Sequence, residues 1–152
     1  MKVSLKSFLQ SGRLSSLQLE MTQAQVIEAL DVPEQVGGTS RQQRRPLVFK
    51  YGSLELYFSP SLPSVCEMMY IERPMTGTQF QLPSCFEVEE WGLSALADRN
   101  EVEAYLHTND IPYTVAPQQQ SIALTFIISS SGVTICFDDA DGLLWAIGVS
   151  RK

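Results

Sequence analysis

The chain has 152 residues, 44% hydrophobic and 18% charged, with a formal net charge of −6. These values predict a single domain over 1–152 with its own core, and they exclude a disordered chain. The acidic balance argues against general nucleic-acid binding, which needs a basic footprint, and no apolar run approaches the length of a membrane span. The N-terminal stretch MKVSLKSFLQSGRL lacks the apolar run of a secretory signal, and Cys66, Cys85 and Cys136 are odd in number with no C-x-x-C spacing. The expectation is a reducing, cytoplasmic setting, with no disulfide framework, metal site or cofactor.

Val3, Leu5, Phe8 and Leu9 predict a short amphipathic N-terminal helix. Thr22 and Gln25 then form a capping box, with Met21 and Val26 as its hydrophobic staple. Val26, Ile27 and Leu30 give this second helix a buried stripe, and Pro33 stops it. A polar loop, GGTSRQQRR, leads into PLVFKYGSLELYF. There Leu54, Leu56 and Phe58 alternate with Ser53, Glu55 and Tyr57, so 46–59 reads as a β-hairpin turning at Gly52. After Pro60 and Pro63, SVCEMMYIE is a third strand with Val65, Met69 and Ile71 inward.

The second half repeats this order. Asp98 and Glu101 form another capping box, before a helix with Val102, Tyr105 and Leu106 inward. SIALTFII, the turn at 129–132, VTICF, the turn at 138–142 and LLWAIGV follow. Val133, Ile135 and Phe137 alternate as Leu54, Leu56 and Phe58 do. The predicted fold is α+β: two tandem helix-plus-antiparallel-sheet units, 20–72 and 98–150, with the helices on one face of the sheet. The connector 73–97 carries Phe80, Leu82, Phe86 and Trp91 as anchors to the body.

No catalytic constellation emerges. His107, the only histidine, falls at a helix end, where a polar or cationic group suits the exposed carbonyls. The Ser129–Gly132 region lacks a nucleophile elbow. Asp138, Asp139 and Asp141 lack the downstream bidentate glutamate of a calcium loop and read as turn residues. Trp145, between small residues in a strand, reads as core, whereas Trp91, beside Glu89 and Glu90, is a candidate aromatic anchor for a partner.

The helix-then-meander order, given twice, resembles the tandem arrangement of β-lactamase-inhibitor-protein-type folds, and the single unit resembles small outer-membrane assembly lipoproteins. Residues 37–55 are similar to a segment of uncharacterised bacterial toxin-immunity or accessory proteins: a G-G-T-S-basic stretch, then Pro46, Lys50, Tyr51, Gly52, Leu54 and Glu55. That resemblance implies a non-catalytic protein-binding module acting as the immunity partner of a bacterial toxin.

Residues 84–152 hold ten Asp/Glu against three Lys/Arg, an excess that serves solubility or, in a protein-binding module, steers a cationic partner through Glu87, Glu89, Glu90, Asp138, Asp139 and Asp141. Two alternatives stand beside this. Thr39, Ser40, Arg41, Arg44 and Arg45 would grip a phosphate or carboxylate in an anion-binding module. A structural subunit would instead pair copies of the chain through a sheet edge.

Overall fold

The computed structural model describes residues 1–38, 45–116, 125–128 and 130–152. Its class is α+β, and among the described residues there are three helices and ten strands. Strand β1 (Lys2–Ser4) leads directly into helix α1 (Leu5–Ser11). Val3 therefore belongs to a strand rather than to the N-terminal helix that alternation predicted. Ser4 caps α1 by accepting from the Ser7 amide, and Gly12, at φ 70°, ends it in the left-handed region.

Helix α2 (Gln23–Leu30) starts at the expected Thr22–Gln25 capping box. Val26 and Leu30 are buried, but Ile27 is 38% exposed. A two-turn helix touching its sheet along one line keeps only the i, i+4 pair inside, and Ile27 sits one residue round from it. Two strands that the sequence reading did not anticipate come next. Strand β2 (Gln35–Gly37) follows α2, so Gly37, expected in a loop between helix and hairpin, ends a strand that pairs with β3 (Val48–Tyr51). Strand β6 (Glu87–Glu90), in the connector, pairs in parallel with β1.

The hairpin is β3 (Val48–Tyr51) and β4 (Leu54–Phe58), turning at Gly52, and β5 is Cys66–Glu72. Helix α3 (Arg99–Thr108) starts at the Asp98–Glu101 box, both bonds being 2.9 Å. Then come β7 (Thr114–Val115), β8 (Thr125–Ile128), β9 (Val133–Phe137) and β10 (Leu144–Ser150). The large sheet is antiparallel and runs β2-β3-β4-β5-β10-β9-β8-β7. Thus β5 and β10, the last strands of the two halves, meet at its centre.

Two bulges correct the inward pattern. Phe58 pairs with Cys66 and Tyr57 with Met68, so Glu67 is the extra residue in β5. Phe137 pairs with Leu144 and Cys136 with Ala146, which makes Trp145 the extra residue in β10. The bulge puts Cys66 into the core (1% exposed) in place of Val65, and leaves Trp145 44% exposed where a core residue was expected.

All three helices bury their apolar residues (Leu5, Phe8, Leu9; Val26, Leu30; Val102, Leu106) in one cluster with the inward residues of the sheet. The helices therefore cover one face and leave the other open. Phe86 is buried, and Phe80, Leu82 and Trp91 pack partly buried against the cluster, as expected of anchors. No helix among the described residues is long and apolar enough to cross a membrane. No disulfide joins Cys66, Cys85 and Cys136.

Candidate functional site

The open face of the sheet is built from the residues that alternate with the core. Its first half is a connected polar network. On β3, Lys50 lies opposite Glu55 of β4 and bonds its Oε1 at 2.5 Å. The other carboxylate oxygen accepts from the Tyr57 hydroxyl at 2.8 Å, and Tyr57 shares a 2.9 Å hydrogen bond with Tyr70 of β5. The two rings stack at 5.4 Å, and Glu72 stands 3.9 Å from the Lys50 ammonium.

Glu55 is only 8% exposed although no helix among the described residues covers it, and its carboxylate is enclosed by its bonds to Lys50 and Tyr57. Burial by itself would raise its carboxyl. The hydrogen bonds from Lys50 and Tyr57 and the lysine charge outweigh that and hold it below the usual carboxylate range. Lys50 is raised in turn, first by its hydrogen bond to Glu55. Burial pushes the Tyr57 and Tyr70 hydroxyls up, so both stay protonated donors.

The sign of the pH dependence follows. A depressed Glu55 contributes stability above its unfolded pKa and loses it as pH falls through the folded value. A raised Lys50 contributes below its unfolded pKa and loses it as pH rises through its folded one. Glu55→Gln is expected to cost about 1–2 kcal/mol at neutral pH. Thermal melts from neutral to acid pH check it: the gap from the parent protein is constant above about pH 5 and closes below that.

The second half of the face is apolar. Gly148 of β10 pairs with Tyr70 and has no side chain to fill the space above it. Around it Met68, Tyr70, Cys136, Trp145 and Ala146 line a cleft of about 210 Å³. Arg73, just beyond β5, donates its amide to the Trp145 carbonyl at 2.7 Å, and its guanidinium forks onto Asp138 (3.1 Å) and Asp141 (2.9 Å). The Leu143 amide, then Arg73, hold Asp141 below the usual range.

The expected steering residues therefore divide. Asp138 and Asp141 are engaged by Arg73 across the end of the open face, and Gly142 at φ 71° makes the predicted turn. Asp139 is exposed in the same turn. Glu87, Glu89 and Glu90 lie together on β6, outside the large sheet. Glu89 pairs with Lys2 at 3.1 Å, and Glu90 accepts from the Tyr105 hydroxyl and the Gly92 amide; Glu87 and Glu89 are both exposed.

Trp91 is partly buried against the core, edge-on to Phe80 at 6.2 Å, so it anchors the connector. Thr39, Ser40, Arg41 and Arg44 lie outside the described residues. Arg45 is half-buried, and its Nε has no hydrogen-bond partner among the described residues. His107 stands on the last turn of α3, edge-on to Tyr113 at 5.9 Å. Among the described residues, no three His, Cys, Asp or Glu side chains gather as a metal-binding group.

The sequence reading missed Tyr57, Tyr70, Glu72, Arg73 and Trp145 as members of a site. A signal was present: alternation that sends Leu54, Leu56 and Phe58 inward sends Glu55 and Tyr57 outward. An outward row of tyrosine and methionine is unlike a merely solvated surface. No family model, curated protein or solved structure matches the chain.

Proposed function

We propose that the chain is a non-catalytic binding protein made of two related helix-plus-meander units, and that it presents the open face of their shared sheet to another protein. Several local correspondences support the two-unit reading. The residue before each N-cap accepts the amide that opens the last strand: Met21 from Cys66 and Ala97 from Leu144, at 2.8 and 2.7 Å. Each N-cap makes an isolated bridge, Thr22 to Val65 and Asp98 to Leu143. The bulges occupy the same step of the two meanders, at Glu67 and Trp145. Tyr70 and Gly148, each three residues past its bulge, pair with each other, so the β5–β10 register is symmetric about them, with Met69 opposite Val149 on one side and Ile71 opposite Ile147 on the other. Two copies joined edge to edge by a local two-fold axis give this arrangement.

The single observation that carries the functional reading is Trp145. A bulge turns this indole out to 44% exposure beside an apolar cleft on a sheet face with no helix over it. Exposed tryptophan beside a cleft is the side chain most often found at the energetic centre of a protein interface. The fitting partner offers apolar side chains to the cleft and lysine or arginine to the carboxylates around it. An immunity role toward a cationic bacterial toxin is one case of such a partner, and it rests on the local resemblance of residues 37–55.

Photo-cross-linking in the cells that carry the chain tests the reading. A benzoylphenylalanine at Trp145 is expected to trap one discrete protein that the same group at Met75, a fully exposed control, does not. Trp145→Ala is then expected to weaken that purified complex by about 2 kcal/mol, roughly thirtyfold, with an unchanged melting temperature. Equal trapping at both positions, or a cross-link only to a second copy of the chain, would sink the proposal.

A further inference from the structure

The connector folds back on itself around a partly enclosed cavity of about 880 Å³, far from the open sheet face in its lining residues. Its walls are fixed to the rigid sheet. The Ser53 amide donates to the Gln81 carbonyl at 2.7 Å, and the Gln81 amide returns a bond to the Ser53 Oγ at 2.9 Å. At the other rim the Ala95 amide and Ser94 hydroxyl both donate to the Thr78 carbonyl, at 2.8 and 3.1 Å. The cavity is therefore preformed, and its volume is that of a site for a small organic molecule.

The lining chemistry is selective. Phe80, Phe86, Val88, Trp91 and Leu93 supply apolar and aromatic surface, while Gln79, Gln81, Ser84 and Ser94 supply neutral polar groups. No ionisable side chain lines it among the described residues, although Glu87, Glu89 and Glu90 are interleaved with its wall in sequence. A charged ligand would be desolvated there, and Glu90, which stands at the Gly92 wall, is already engaged by the Gly92 amide and the Tyr105 hydroxyl. The Trp91 indole N–H is buried and has no hydrogen-bond partner among the described residues. That nitrogen has almost no accessible surface, so Trp91 lines the cavity through the carbon atoms of its ring.

We propose that this cavity binds a small neutral ligand whose aromatic or aliphatic body packs on Phe80, Trp91 and Leu93 and whose carbonyl or hydroxyl group bonds the neutral polar groups of the wall. The site stands independently of the protein-binding face.

Three probes of one shape separate the chemistry: benzamide (neutral, with a carbonyl), benzoate (anionic) and benzylammonium (cationic). The chain has two tryptophans, so a proton–nitrogen correlation spectrum has two indole signals, assigned with Trp145→Phe. Benzamide is expected to move the Trp91 signal saturably and leave that of Trp145 in place. Its dissociation constant is on the order of millimolar, as so small a fragment supports. Benzoate and benzylammonium are expected to bind at least about tenfold more weakly. The proposal is overturned if benzamide gives no saturable shift up to about 50 mM, a limit well beyond fragment affinity. Equal responses to all three probes would overturn it too.

Discussion

Gly148→Val is expected to destabilise the chain by about 3 kcal/mol, at the upper end of overpacking costs, because Gly148 sits where the two halves of the sheet press together. Its φ is not in the left-handed region, so the requirement for glycine is steric alone. A Cβ there would stand 2.4 Å from Tyr70 Cβ, 2.9 Å from the Met69 carbonyl oxygen and 3.1 Å from Tyr70 Cα. None of these is the far end of a flexible side chain, so β5 and β10 would have to move apart. Gly37→Val is the control: Gly37 is also in a strand, but no atom of the described residues lies within 4 Å of its Cβ position, and valine suits an extended backbone. Urea denaturation is expected to show a large loss for Gly148→Val and none for Gly37→Val. A second measurement isolates the contact. Tyr70→Gly combined with Gly148→Val removes the closest atom, and is expected to cost less than the two single changes added together. Additive losses would mean that Tyr70 is not what Gly148 makes room for.

The same pair explains why the site has the shape it has. The polar network of Lys50, Glu55 and Tyr57 ends on the Tyr70 ring, and the apolar cleft begins over Gly148 on the next strand. One large and one absent side chain at a cross-strand pair set a ridge beside a hollow. If two related units meet here, their equivalence is broken at the one pair on their axis. The open face then differs between its halves.

How far this was legible depends on how local each cause is. The two capping boxes were readable because both partners of each bond lie within four residues, and alternation placed Leu54, Leu56, Phe58, Val133, Ile135 and Phe137 correctly in the core. Counting by twos back from Ile71 and Met69 reaches Val65, and that count fails because a bulge at Glu67 shifts the phase. The identical slip hid Trp145. A bulge depends on what the neighbouring strand can pair with, which one strand's pattern does not contain. Pairing of β1 with β6 joins residues more than eighty positions apart, and the Glu55 carboxylate is enclosed by its bonds to Lys50 of the neighbouring strand and to Tyr57. The cavity at 78–94 follows from the connector's attachment to a distant hairpin turn, which nothing in the connector announces.

That attachment makes Gly52 the other position of large effect. Gly52→Ala is expected to cost about 2–4 kcal/mol, from two separate causes. At φ +60° the added Cβ meets its own backbone, and it would also stand 2.3 Å from the Gln81 carbonyl oxygen and 3.2 Å from its carbon. Gly142→Ala separates the two: φ is +71° there, yet nothing lies within 4 Å, so only the backbone term of about 1–2 kcal/mol applies. The difference between the two variants in urea denaturation measures the contact with Gln81. Because the Ser53 and Gln81 amides bond across this contact, displacing the Gln81 carbonyl also loosens one wall of the cavity. Amide exchange at Ser53 and Gln81 is accordingly expected to quicken in Gly52→Ala and to stay at the parent rate in Gly142→Ala. Equal costs in the two variants, with exchange unchanged in both, would show that the connector is not clamped to the β3–β4 turn.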